Sequence, residues 1–327
     1  MKTLPAAACI IVTAVTLRAS GVKDPLPASV QANPFGLMLS APGLTIERRV
    51  ELAGKLGAAS YRPLAIFTGR WQGRDPECDA ALKAGFPLVL TVRNGNGPGE
   101  PSAPPKDIVA YKNTIRSVLT VYRPAVLVVE NEESSRLFYT GTPAEYAAEL
   151  RASADIAHQM GVPCTNGGLV SALVALLTYD DYVQRGETAR ARSFALRAFD
   201  AQQRAMLGSP KAREALAKGK ELIEVYRTAG IDYVNFHWYI ADPSALEEAV
   251  AFLKTQTGLP LLTNEIGQHD LSPGTVRTLM AKVLELRLPH AVWYSIDSPN
   301  AKALIGPGGA IRENGQAYRD FIGGLGR

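Results

Sequence analysis

The sequence predicts an α/β fold, a (β/α)8 TIM barrel with a helical insertion between its fifth and sixth strands. Three observations carry this expectation. Short β-like runs alternate with helix-like segments eight times, the rhythm of parallel strands joined by crossover helices. The turn after the first run reads LSAPGL instead of the glycine-rich turn of an open dinucleotide fold, and the later Gly95–Gly99 run opens no helix. Polar residues gather at the C-terminal ends of the apolar runs, where barrels keep their chemistry.

In order, 35–40 (FGLMLS) reads as the first strand, followed by a helix over 45–56 whose apolar residues Ile46, Val50, Leu52, Ala53 and Leu56 approximate helical spacing. Residues 58–63 form the second strand, with a short helix at 78–84 ending before Gly85. The third strand, 86–94 (FPLVLTVRN), runs into a loop rich in Gly and Pro before a helix at 106–122. The fourth is 125–133 (AVLVVENEE); Thr142 then caps a helix over 143–160 with Pro143 at its first position. Strand five is 162–166 and strand six 233–239 (YVNFHWY), separated by the stretch 168–231, rich in Ala, Leu and Arg and read as an inserted helical hairpin or lid around the crossover helix. Its Arg-rich part, 185–197, reads as a solvated face. A helix at 244–257, strand seven at 259–267 (LPLLTNEIG), a helix at 273–287, strand eight at 290–296 (HAVWYSI) and a helix at 314–322 complete the chain.

Residues 1–20 have the form of a cleavable secretory signal: Lys2, an apolar stretch over 4–17, and small residues at Ala19 and Ser20. A secreted or periplasmic protein is expected, its mature chain 21–327 a single catalytic domain and a monomer. No stretch approaches the ~18 apolar residues of a membrane span. The formal charge of +4 falls to +2 when Lys2 and Arg18 leave with the leader, and no basic run marks a nucleic-acid partner. Cys78 and Cys164 remain in the mature chain, as one disulfide or as two buried thiols.

The strand ends present Arg62, Asn94, Asn131 with Glu132, Asn166, His237 with Tyr239, and Glu265, with Trp293 inside the eighth strand. No strand ends in Lys, which disfavours Schiff-base chemistry. HExxH is absent, the four histidines lack ligand spacing, and no G-x-S-x-G elbow occurs, so neither a metal site nor a serine hydrolase is expected. Two apolar strands that each close on a carboxylate, Glu132 and Glu265, lie across a barrel from one another. Facing carboxyls are what glycosidic cleavage needs: one protonates the leaving oxygen, the other attacks the anomeric carbon or activates water. A carboxylate beside Arg62 would stay ionised while its partner keeps a proton.

These residues resemble glycoside hydrolase clan A, the retaining (β/α)8 enzymes with Asn-Glu on strand four and a Glu nucleophile on strand seven. The resemblance implies Glu132 as acid/base and Glu265 as nucleophile, with Arg62 as its partner. It implies Asn131, His237 and Tyr239 as substrate-binding or supporting residues, Trp293 as a sugar platform, and no cofactor. The segment 309–321 (GAIRENGQAYRDF) is similar to the closing segment of such enzymes. Glu130 and Glu133 compete with Glu132 for the catalytic place, Trp238 with Trp293 for the platform, and Trp71 is a candidate for an outer subsite. Two other readings stay open: a carbohydrate-binding barrel without catalysis, and a barrel lyase or isomerase.

Overall fold

Every pairing between strands is parallel in the computed structural model, which describes residues 33–40, 43–296 and 303–325. The leader expected at 1–20 lies outside the described residues. In chain order the strands are β1 (Phe35–Ser40), β2 (Ser60–Tyr61), β3 (Ile66–Phe67), β4 (Val89–Arg93), β5 (Val126–Val129), β6 (Cys164–Asn166), β7 (Val234–Trp238), β8 (Leu261–Ile266) and β9 (Ala291–Ile296). They form two runs, β2-β1-β9-β8-β7 and β3-β4-β5-β6. Single parallel bridges, Tyr61 to Leu88 and Thr165 to Tyr233, link these runs edge to edge, so the strands follow one another in chain order as in an α/β barrel. The second stave is split into β2 and β3, where a single strand over 58–63 was expected. Pro63 has no N–H to continue the ladder, so after Arg62 N–H bonds Leu37 O (2.9 Å) the chain turns away and aims the Arg62 side chain at the strand ends.

Helices α1 (Ile46–Lys55), α2 (Pro76–Lys83), α3 (Ile108–Tyr122) and α4 (Pro143–Gln159) alternate with the first strands, and α9 (Pro243–Thr257), α10 (Pro273–Glu285) and α11 (Glu313–Gly323) follow β7, β8 and β9. Between β6 and β7 lie four: α5 (Ser171–Gln184), α6 (Thr188–Ala198), α7 (Ala201–Ala205) and α8 (Pro210–Thr228). This is the stretch expected to hold a helical hairpin or lid around the crossover helix. Among the described residues, five helices start with a capping side chain followed by proline: Asp75-Pro76, Thr142-Pro143, Ser209-Pro210, Asp242-Pro243 and Ser272-Pro273. The cap accepts from an otherwise orphaned N–H, and proline supplies a preset helical φ where no N–H is needed.

The insertion is fastened to α9 through Glu248, which accepts from Arg197 (2.7 Å) and from the Tyr182 hydroxyl (2.7 Å). Arg197 therefore turns inward, contrary to the reading of 185–197 as a solvated face, while Arg190 covers the Tyr182 ring at 4.5 Å. Cys78 and Cys164 are free and buried, which leaves the thiol reading.

Strand alternation sorts the core into two layers. Val89, Val126, Val128, Leu262 and Val292 cluster inside the barrel, while Leu127, Val129, Phe236 and Trp293 pack outward under the helices. Trp293 is fully buried, 6.2 Å and nearly edge-on from Tyr318 of α11. Trp293→Ala should cost about 3–5 kcal/mol in a urea titration, the range for deleting a buried aromatic ring; a cost near zero would contradict this packing.

Candidate active site

The site begins where β5 ends. Its strand geometry stops at Val129, four residues short of the expected 133, because Glu130 (φ 69°) and Glu132 (φ 46°) both adopt left-handed backbone. Non-glycine residues rarely take that conformation, at a cost of order 1 kcal/mol each. Alternation no longer applies here, and the three acids part company. Glu130 is fully buried, accepts the Asn94 N–H and lies beside Arg93 (3.7 Å) and Glu149. Glu133 is also buried and accepts from the Tyr226 hydroxyl of α8 and from Asn166 Nδ2 (3.0 Å). Only the Glu132 side chain reaches the pocket, 17% exposed, with His237 Nδ1 2.8 Å away. Asn131 Oδ1 accepts from Arg62 at 2.9 Å.

Opposite stands Glu265 at the end of β8. Its Oε2 accepts from Arg62 (2.7 Å) and its Oε1 from the Tyr239 hydroxyl (2.6 Å). Burial works against the Glu265 charge, but the charges of His237 and Arg62 and the bonds from Tyr239 and Arg62 outweigh it, holding the carboxyl below its ordinary range. Between the acids His237 is completely buried. Burial disfavours its protonation, yet the charges of Glu265 and Glu132 and the bond to Glu132 raise its affinity for a proton, against the opposing Arg62. The backbone crosses above this ring at Gly168 (φ +105°), where an added Cβ would lie 2.3 Å from His237 Nε2; only glycine fits there.

One oxygen of Glu132, Nδ1 of His237 and one oxygen of Glu265 all lie within 4.8 Å of one another. Such a trio could in form ligate a metal. The Arg62 guanidinium already supplies the positive charge that Glu265 faces, and a dication would be repelled by it.

Arg62, Asn131, Glu132, His237, Tyr239 and Glu265 are thus brought together, and Trp293 is not. Strand register explains the exception: β9 pairs Leu37 with Trp293 and Met38 with Tyr294, and Met38, not Leu37, packs against the barrel interior. The aromatic on the pocket side is therefore Tyr294, 6.4 Å and edge-on from Tyr239, one residue away from the expected platform. Trp238 is core as well, and Trp71 is held against α3 by its Nε1–H bond to Ser117 (2.9 Å) and by Tyr122. His269, exposed at the rim, stacks on Tyr239 at 5.2 Å.

Sequence reasoning also missed Asn235, and it gave Asn166 and Asn264 no role. These three buried amides stand side by side on β6, β7 and β8, and Asn264 Oδ1 is 3.0 Å from His237 Nε2. An asparagine inside an otherwise apolar strand was the available signal, since a buried amide needs partners.

No family model and no curated protein matches the sequence. The fold is similar to solved barrels. A GH128 (subgroup VI) exo-β-1,3-glucanase from Aureobasidium namibiae is 12% identical, with 89% of this chain and 97% of that one covered and a TM-score of 0.55. A GH128 (subgroup II) endo-β-1,3-glucanase from Sorangium cellulosum is 15% identical, with 88% and 97% covered and a TM-score of 0.55. A GH128 (subgroup I) endo-β-1,3-glucanase mutant from Amycolatopsis mediterranei, in complex with laminaritriose and laminaribiose, is 12% identical with 87% and 98% covered and a TM-score of 0.51. At such identities the likeness is one of fold.

Behind the site, burial raises the affinity of both Glu130 and Glu149 for a proton, and the charge of Glu130 raises that of Glu149 further. Carboxyls raised in the folded state stabilise it only at low pH, and that contribution is lost as pH rises through their folded values. Glu149→Gln keeps a donor toward Glu130 without the second titration. It should melt above the parent at pH 8.5 and close to it at pH 5.5; equal melting curves at both pH values would contradict the raised proton affinity of the pair.

Proposed function

We propose that this protein is a retaining glycoside hydrolase that cleaves β-linked glucan by double displacement, with Glu132 as acid/base and Glu265 as nucleophile. The observation that carries the reading is the approach of the two carboxyls, one oxygen of each within 4.8 Å of the other. Retaining enzymes hold the pair ~5–5.5 Å apart, whereas inversion needs ~6.5–9.5 Å to admit a water. The β-1,3-glucanase barrels of similar fold support a β-glucan as the substrate class. So close a pair also weighs against a barrel that only binds sugar.

In the first step Glu265 Oε attacks the anomeric carbon as the bond to the leaving oxygen breaks. Arg62 and Tyr239 keep Glu265 ionised and aimed. Glu132 gives its proton to the leaving oxygen. In the second step Glu132 takes a proton from water, whose oxygen displaces Glu265 and restores the anomeric configuration. Asn131, held by Arg62, offers its amide N–H to the sugar 2-hydroxyl, a contact that tightens as the oxocarbenium-like state forms. This chemistry needs no cofactor.

A groove of about 860 Å³ starts at Ser134, two residues past Glu132, and runs between the β5–α4 loop and α8, lined among others by Arg136, Thr140, Lys211, Lys218 and Glu221. We read this groove, with charged side chains from α8 along one wall, as room for further sugars of a glucan chain. A polymeric substrate fits the expected export through residues 1–20, and the mature chain is read as a single domain and a monomer.

An activated 2-fluoro β-glucoside should label the protein with loss of activity, and peptide mapping should place the label on Glu265; a label elsewhere would overturn the nucleophile assignment. Glu132→Ala should lose roughly 10²–10⁴-fold in kcat/KM on substrates with poor leaving groups, the usual worth of a general acid. It should lose far less on activated aryl glycosides and recover turnover with added azide.

A further inference from the structure

The amide row on β6, β7 and β8 contains a deduction about protons. Asn166 Oδ1 accepts the Asn235 backbone N–H (2.7 Å), and Asn235 Oδ1 accepts the Asn264 backbone N–H (2.9 Å). A backbone N–H can only donate, so both side-chain atoms are oxygens and the other end of each amide is its NH2 group. The Asn235 NH2 then stands 2.7 Å from an Asn264 side-chain atom that must be the oxygen. His237 Nε2 lies 3.0 Å from that same oxygen, and between them only the imidazole can donate. The far end of the row is fixed too, since the Asn166 NH2 donates to Glu133 Oε1 (3.0 Å) and to Asn235 O (3.0 Å).

We propose that Asn166, Asn235 and Asn264 are positioning residues that pin a proton on His237 Nε2, so that His237 Nδ1 and Glu132 share one exchangeable proton between them. With Nε2 protonated, a neutral imidazole turns its Nδ1 lone pair toward Glu132 Oε1, 2.8 Å away. Two lone pairs at that distance repel, so the contact is stable only with a proton on either the oxygen or the nitrogen. The tautomer that would give a Glu132 carboxylate an Nδ1–H from a neutral ring is the one excluded by the row. His237 is also faced by Glu265 at 3.7 Å, whose charge is met by Arg62 and by the Tyr239 hydroxyl, and, beyond the row, by Glu133. The role of this pair in the reaction rests on the hydrolase reading. When the O–H bond of Glu132 breaks and the proton passes to the leaving oxygen, Glu132 and His237 are left lone pair to lone pair. The pair therefore recovers a proton readily when water attacks the glycosyl-enzyme.

The test reads the tautomer directly. In protein with ¹⁵N-labelled histidine, long-range ¹H–¹⁵N correlation spectra, assigned against His237→Asn, should show Nε2 of His237 protonated from acid to alkaline pH while Nδ1 titrates. Asn264→Asp retains the acceptor and adds a negative charge; it should keep the tautomer and move the alkaline limb of the pH–rate profile up by about one pH unit. Asn264→Leu removes the acceptor, frees the Nδ1–H tautomer and should move that limb down. A neutral His237 protonated at Nδ1 in the parent protein overturns the proposal, as does an alkaline limb unmoved in Asn264→Asp. The spectra need no substrate, so a protein without glycosidase activity would sink the hydrolase reading and leave the tautomer still measurable.

Discussion

The two left-handed residues at the end of β5 set the position of everything else in the site. Glu130 and Glu132 turn the backbone through a corner that no ordinary strand could make, and in four residues the chain places three acids in three surroundings. Glu130 is drawn back toward the loop after β4, Glu133 down toward α8 and β6, and Glu132 alone is left facing the pocket. The strain is tolerated because both neighbouring acids are tied down by buried hydrogen bonds, so the corner has no competing conformation to relax into.

Around that corner the electrostatics divide the work. Two acids of the pocket, Glu132 and Glu265, stand against one permanent cation, Arg62, and one group of variable charge, His237. Arg62 and Tyr239 commit themselves to Glu265, which keeps that acid charged; His237 commits itself to Glu132 and to the amide row. A pair of acids that differ in this way can act as nucleophile and as proton donor at the same pH, the separation that glycoside hydrolysis requires. The insertion belongs to this arrangement as well, because Tyr226 of α8 holds Glu133 and so braces the corner from outside the barrel.

Local chemistry predicted the fold well where it acts locally. The Thr142-Pro143 cap and the apolar runs follow from neighbours in sequence, and the eight-unit rhythm appears as parallel staves in chain order; the break of the second stave at Pro63 was not foreseen, although the missing N–H of proline accounts for it. The stretch between β6 and β7 forms four helices, and two of them are tied to α9 by Glu248, which gathers Arg197 and Tyr182 from positions more than fifty residues away.

What the sequence determined by itself was the inventory of the site: an arginine, an Asn-Glu pair, a histidine and tyrosine, and a second glutamate, each at the end of an apolar run. Strand ends in a parallel barrel converge, so their order was enough to gather these residues. The tertiary structure alone decided which way each side chain points. Side chains on a strand alternate with period two, and a single residue of register exchanges pocket for core, which is why Tyr294 lies where Trp293 was expected. Beyond a strand's last hydrogen bond even that alternation fails, and only the backbone dihedrals separate Glu132 from Glu130 and Glu133. The amide row was legible only in part: an asparagine in an apolar run signals a need for partners, but Asn166, Asn235 and Asn264 become those partners only when three strands lie side by side.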